Sequence, residues 1–258
     1  MLTPRGDSGA AVKVQYFGDV NDYRKFALLR LLAEVGGFKI GVCCMLTEPD
    51  DSKDGGNRKY LEQAAKWRSY DPTVFGALRN VRLPPQLSDL QRIETEGIVP
   101  RATFFNEFVP NSRTARDSFH THCMAAFADR TLVFFDPDNG LEVKSVTKGR
   151  KRSSKYVFES EIGDHYRAGR SALIYQHFPM HVTRKACIAS AANRLAARLP
   201  GVSIWSIVTA HVVFLLAVRS EHEARAAAVV KTISARGWIP DFVKSASRCE
   251  LSTATTPC

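Results

Sequence analysis

Long apolar runs and a leader-like opening are both missing from this chain. The longest late apolar stretch, Val212 to Val218, falls far short of the ~20 residues that span a bilayer. The opening, Met1-Leu-Thr-Pro-Arg-Gly-Asp7, lacks a charged-then-apolar pattern. Together they set a cytoplasmic protein without a membrane partner as the expectation. The six cysteines, at 43, 44, 123, 187, 249 and 258, form no Cys-x-x-Cys and no regular spacing. Cys43 and Cys44 fall inside an apolar strand-like run, where neighbouring side chains take opposite faces, and read as buried reduced thiols. No Gly-x-Gly-x-x-Gly and no Walker A string occurs, so nothing supports a dinucleotide or nucleoside-triphosphate site, and no cofactor is expected. There is no internal repeat.

What is present points to a globular α/β protein. A chain of 258 residues can bury a substantial core. It reads as a lead-in over 1–15, one α/β catalytic domain over 16–244 with 70–112 as an insertion or lid, and a fraying tail over 245–258. The formal charge of +10 implies a polyanionic partner, because Lys and Arg supply affinity for phosphate backbones. DNA is the expected partner, and no obligate protein partner is inferred.

The organising stretch is Thr131-Leu-Val-Phe-Phe-Asp-Pro-Asp-Asn-Gly-Leu-Glu142, a short aromatic and β-branched run that ends in two carboxylates, an amide and a glycine. It reads as a buried strand delivering Asp136, Asp138 and Asn139 to the carboxyl edge of a sheet, where α/β proteins bind ligands. Asp-Pro and Asn-Gly are also ordinary turn dipeptides. A second strand, Ser171 to Tyr175, ends in Gln176-His-Phe-Pro179, and in a parallel sheet both ends share one edge. Between them, Lys144 to Lys155 holds six basic residues and no acid. It reads as a phosphate clamp, with Lys148, Arg150, Lys151, Arg152, Ser153, Ser154 and Lys155 as its contacts.

Earlier elements frame this centre. Asp19 or Asn21 can cap a helix carrying Phe26, Leu29 and Ala33, and Phe38 to Met45 reads as a strand. A helix is expected from Lys59 to Arg68, another over Ser112 to Asp129, a strand at Ala102 to Phe105, and late helices over 159–169, 182–199 and 221–236. Val202 to Thr209 and His211 to Val218 read as a strand pair. His120-Thr-His122-Cys123 lacks zinc spacing, His211 reads as structural, and Asp50, Asp51 and Asp54 read as a solvated loop. No metal site is expected.

This convergence suits base excision. A carboxylate such as Asp136 can orient water or stabilise positive charge on a sugar, with Asp138 and Asn139 next in line, while His177 stabilises the departing base. The base must leave the helix for a pocket that stacks and reads it. Gln176 or Asn139 could read, and Tyr16, Phe17, Tyr23 or Tyr156 could stack, with Asp19 and Asp22 as further pocket candidates.

Phe135-Asp136-Pro137 and His177-Phe178-Pro179 resemble, in order, the acidic-Pro and His-Pro-Ser turns of uracil-DNA glycosylases. They depart by lacking a glycine before the acid and by inserting Phe178. The resemblance implies a three-layer fold with a mostly parallel central sheet. Across the chain, Tyr16-Phe-Gly-Asp-Val-Asn-Asp-Tyr-Arg-Lys25, Phe135 to Val143, Ser153-Ser-Lys-Tyr156 and Leu173-Ile-Tyr-Gln-His-Phe178 resemble phage-defence DNA glycosylases. That resemblance implies excision of glucosylated hydroxymethylcytosine from modified phage DNA, leaving abasic sites.

Two other classes compete. The strand ending in Asp136-Pro137 resembles the Asp-Pro-Pro-Tyr corner of S-adenosylmethionine-dependent amino-methyltransferases, whose terminal hairpin the 202–218 pair also suits, although Asp138-Asn139 replace Pro-Tyr. A non-enzymatic DNA-binding module is the other. A nuclease reading of Pro137-Asp138 with Glu142-Val-Lys144 leaves too little chain for the second strand it needs.

Overall fold

The computed structural model describes residues 17–48 and 56–251. In chain order the elements are α1 (Val20–Glu34), β1 (Ile40–Cys43), α2 (Ala64–Trp67), α3 (Pro72–Arg79), α4 (Leu87–Thr95), β2 (Ala102–Phe105), α5 (Arg113–Ala126) and β3 (Leu132–Phe135). They continue with β4 (Gly140–Leu141), β5 (Tyr156–Val157), α6 (Glu159–Arg167), β6 (Ser171–His177), α7 (Arg184–Arg198), β7 (Ser203–Val208), β8 (Val212–Val218), α8 (Glu223–Ala235) and β9 (Ser245–Arg248).

The main sheet has seven strands in the order β2-β1-β3-β6-β8-β7-β9. β2, β1, β3 and β6 run parallel, and β8 runs against both β6 and β7. The mostly parallel central sheet expected from the sequence is therefore present, with an antiparallel end. Period-2 alternation decides which face each strand residue covers. Leu132 and Phe134 pack with α1, α3, α4 and α8, whereas Val133 and Phe135 pack with α5, α6 and α7. Cys43 and Cys44 divide the same way. Burying a side chain such as Phe134 stabilises the fold by roughly 1.5–3 kcal/mol.

Local chemistry explains the helix starts. Asp19 caps α1 by accepting from Asn21 N at 2.7 Å and Asp22 N at 2.9 Å, Asp71 caps α3, and Ser112 caps α5. α1 is buried on almost every side, Arg24 and Lys25 included, so it is a core helix.

Three boundaries differ from expectation. Residues 59–68 form a 3-10 turn followed by the short α2. The 70–112 stretch, read as an insertion or lid, is tied into the body of the fold at two points: β2 pairs with β1 in the main sheet, and Phe75 of α3 packs edge-on to Tyr23, ring centres 5.9 Å apart. Residues 245–248, read as part of a tail, form β9 on the outer side of β7.

His165 of α6 is wholly buried, with Nδ1 3.1 Å from Arg170 Nη1 and its ring against Phe135. Burial, then the Arg170 and His120 charges, lower its pKa to about 3. The unfolded chain takes up this proton below the ordinary histidine value, and the folded chain does not. Stability should therefore be full above pH ~6.5 and fall by up to roughly 1.4 kcal/mol per pH unit towards the folded value. Urea midpoints measured from pH 7 to 4 should slope less in His165→Phe, and an unchanged slope would contradict the assignment.

Candidate functional site

The chain passes from β1 to β2 on one side of the sheet and reaches β3 on the other, so the direction of winding switches between β1 and β3. Ligands of open α/β sheets bind at the carboxyl ends of strands beside such a switch. A cavity of about 840 Å³ lies there. Its floor is Asp136, Pro137, Asp138 and Asn139 after β3, and one wall is Cys44 to Thr47 after β1. The cap and first two turns of α1 give Asp19, Asn21, Asp22 and Lys25, and the far side gives Tyr175, His177 and His211.

The backbone fixes the floor. β3 pairs in register with β1 and β6, Cys43 opposite Phe135 and Phe135 opposite Ile174. Asp136 N then donates to Cys43 O at 3.1 Å, and Asn139 N to Lys155 O at 2.9 Å. Gly140 has φ +112°, and a Cβ there would collide with the Gln176 carboxamide. Thr47 Oγ1 donates to Asp138 Oδ2 at 3.0 Å, tying the two loops together. Met45, at φ +46°, turns the chain into this wall in a conformation few side chains adopt.

Electrostatically the floor is a cluster of acids around one cation. Lys25 Nζ lies 2.6 Å from Asp136 Oδ2 and 2.8 Å from Asp22 Oδ1. Burial raises the Asp136 pKa to about 6 against the pull of Lys25, and burial with the Asp22 charge raises Asp19 to about 6. Burial alone would depress Lys25, but Asp136 and Asp22 hold it well above the ordinary lysine value. Burial and Asp136 push the Cys44 thiol well up, which makes it a poor nucleophile. Comparison with protein-family models, with curated proteins and with solved structures finds no match for this chain.

The two polar corners thus open into one cavity, with Asp136, Asp138, Asn139 and His177 all lining it. Phe17, Asp19, Asp22 and Lys155 line it as well. Other expected positions lie elsewhere. Gln176 is buried away from the cavity: its Oε1 accepts from Leu141 N at 2.9 Å and its Nε2 donates to Asn139 O and His177 O. It braces the acidic corner and cannot read a ligand. Tyr23 is fully buried, its hydroxyl donating to Trp67 O at 2.7 Å and accepting from Asp71 N at 2.9 Å. Tyr156 begins β5, and its carbonyl accepts from Arg116 Nη2, away from the cavity wall. Tyr16, Asp50, Asp51 and Asp54 lie outside the described residues.

The basic stretch is divided. Arg150, Lys151 and Arg152 are exposed, whereas Ser153 and Ser154 are buried against Asn111. Lys148 pairs with Asp117 at 3.0 Å and Glu161 at 3.4 Å. Lys148, Ser153 and Ser154 therefore anchor the loop, and its exposed tip carries the charge. In the His120 to Cys123 stretch, His120 pairs with Asp164, Cys123 is buried, and His122 is exposed. Among the described residues no group of three or more His, Cys, Asp or Glu is arranged to hold a metal, and no helix is long and apolar enough to cross a membrane.

Sequence reasoning missed Lys25, Thr47 and Tyr175, and took His211 as structural. Two signals were available. Lys25 stands three residues after Asp22 on a helix whose cap faces the site, and Tyr175 shares the face of His177 by strand alternation.

Proposed function

We propose that this protein is a DNA glycosylase that flips a modified base out of DNA and hydrolyses its glycosidic bond. The observation carrying this reading is the joint placement of the half-buried Asp136 and of His177 on one cavity at the sheet's carboxyl edge. Its volume of about 840 Å³ sits high in the usual ~300–1,000 Å³ range of ligand sites. That is roomier than a plain pyrimidine needs and suits the glucosylated hydroxymethylcytosine of phage DNA. Asp136 stabilises the cationic sugar or orients water, and Asp138 and Asn139 fix that water. His177 stabilises the leaving base, and the Phe17 ring lies against it. Work on such DNA places the protein in the cytoplasm.

Purified protein incubated with modified and unmodified DNA should release a free base, identified by mass spectrometry, and leave alkali-labile sites. Methyl incorporation dependent on S-adenosylmethionine would replace this reading. Tight binding without product, unaffected by Asp136→Asn, would reduce it to a binding module.

One observation favours the methyltransferase: β8 lies reversed between β6 and β7, as that terminal hairpin requires. The residues present do not suit its chemistry. Asp138 and Asn139 stand where such a corner has its second Pro and the Tyr that stacks on the base. The chain after β1, Cys44-Met-Leu-Thr47, also lacks the glycines that let a backbone approach that cofactor.

DNA binding has its own test. Replacing Arg150, Lys151 and Arg152 together by Ala should weaken binding to all sequences alike. It should also flatten the plot of log affinity against log salt by about 2 to 3. An unchanged salt slope would move the phosphate contacts elsewhere.

A further inference from the structure

Lys25 occupies an unusual place. Its ammonium is enclosed between the carboxylates of Asp22 and Asp136 and lies 5.2 Å from the centre of the Tyr175 ring. Its side chain is 11% accessible, while that of Asp136 keeps 20%, reached from the cavity. Flanked by two acids, the amine keeps its proton and so is not a nucleophile towards an exposed sugar. It binds one oxygen of Asp136 and leaves the other to the cavity.

We propose that Lys25 is a positioning residue that keeps Asp136 ionised and aimed, while Asp22 keeps the three-group cluster net negative, so that the cavity favours a cation at the reacting sugar. This role rests on the glycosylase reading and specifies its electrostatics. Without a partner, a carboxyl at this depth would protonate near neutrality and lose its hold on positive charge. With Lys25 alone the pair would be neutral, and a neutral pair attracts a cation weakly. Adding Asp22 leaves one net negative charge beside the substrate.

The groups facing Asp136 decide its titration. From α1 these are Lys25, Asp22 and, farther off, Asp19; Cys44 and Thr47 face it from β1 and its loop, Asp138 from its own loop, and Tyr175 and His177 from β6. Asp22 and Asp138 push its carboxyl up, and Lys25 pulls it down. Substitutions at Lys25 and Asp22 should therefore move Asp136 in opposite directions, which no change in packing would do.

The test is a carbon-13 carboxyl titration of the full chain labelled at aspartate, with the Asp136 signal assigned from Asp136→Asn. It is run beside single-turnover base release as a function of pH. Lys25→Met should raise the Asp136 midpoint by about one pH unit or more, and should shift the acid limb of release upward equally, about tenfold in rate on that limb. Asp22→Asn should lower the midpoint, and Lys25→Arg should hold it near wild type. If Lys25→Met does not fold, Lys25→Gln serves in its place. A midpoint unmoved at Lys25, or moved the same way by both substitutions, overturns the proposal. Wild-type protein that releases no base from any DNA overturns the glycosylase reading instead, and the midpoints still decide whether Lys25 sets the charge of Asp136.

Discussion

Asp136→Asn protein should bind modified DNA as the wild type does, yet release base roughly 10³-fold more slowly. A unit charge about 4 Å from a sugar cation is worth about 4 kcal/mol at the effective dielectric of a partly wet site, or about three decades of rate. The amide keeps the shape and loses that charge. Lys25 then faces only Asp22, and the cluster goes from net negative to neutral. Unfolding would not account for the loss. Because burial raises the Asp136 pKa to about 6, the protonated form is the one that folding favours. That contribution is complete below the unfolded carboxyl value and lost as pH rises through the folded one. At pH 8 the ionised carboxylate is therefore a burden on the fold that Asn removes; this offsets the partner lost by Lys25, which Asp22 still holds at 2.8 Å, and the Asn protein should melt close to wild type. A rate within fivefold of wild type would remove Asp136 from the chemistry.

The largest stability effect is expected at Arg116, far from the cavity. Its side chain is 1% accessible; Nε donates to Glu161 Oε1 at 2.8 Å, Nη2 to Glu161 Oε2 at 2.7 Å, and Nη2 again to Tyr156 O at 3.0 Å. The guanidinium also lies over the rings of Phe119 and Phe158. Arg116→Met would strand a buried carboxylate with only Lys148 at 3.4 Å and Phe158 N at 3.2 Å. Breaking a buried pair from one side costs about 3–5 kcal/mol, readable as a large shift in urea midpoint. Arg116→Met with Glu161→Leu should recover most of the loss, because no uncompensated charge remains. Burial would raise the Glu161 carboxyl, but Arg116 outweighs it and holds it below the ordinary range. Its contribution is therefore present above the unfolded glutamate pKa and lost as acid titrates the folded one. Equal destabilisation in the single and double variants would show that packing, and not charge, dominates.

The parallel centre was legible because β1, β3 and β6 are short apolar runs that end abruptly in polar residues, which is how a strand buried on both faces looks in sequence. The acid and histidine corners were legible for the same reason. What misled was treating Gln176 and His177 as a pair. Consecutive strand residues take opposite faces, so when His177 lies at the cavity with Tyr175, Gln176 must turn to the Gly140 side. Lys25 was obscured differently: a lysine among polar residues in an early helix turn reads as solvated. Only the long-range meeting of α1 with β3, 111 residues apart in sequence, supplies its second acid. β9 was illegible because Ser245-Ala-Ser-Arg248 carries almost no apolar side chains, and its pairing to β7 is a matter of backbone hydrogen bonds.

The turn between β7 and β8 carries His211 to the cavity wall. Val212 pairs with His177 and Val213 with Gln176, and the turn is closed by Thr209, whose Oγ1 accepts from Val212 N at 3.2 Å. Sliding β8 by one residue along β6 would exchange the faces of its own side chains, turning Phe214 and Leu216 away from the α1 side of the sheet while β3 holds β6 in place. His211, carried by the same bend, would leave its place on the cavity wall.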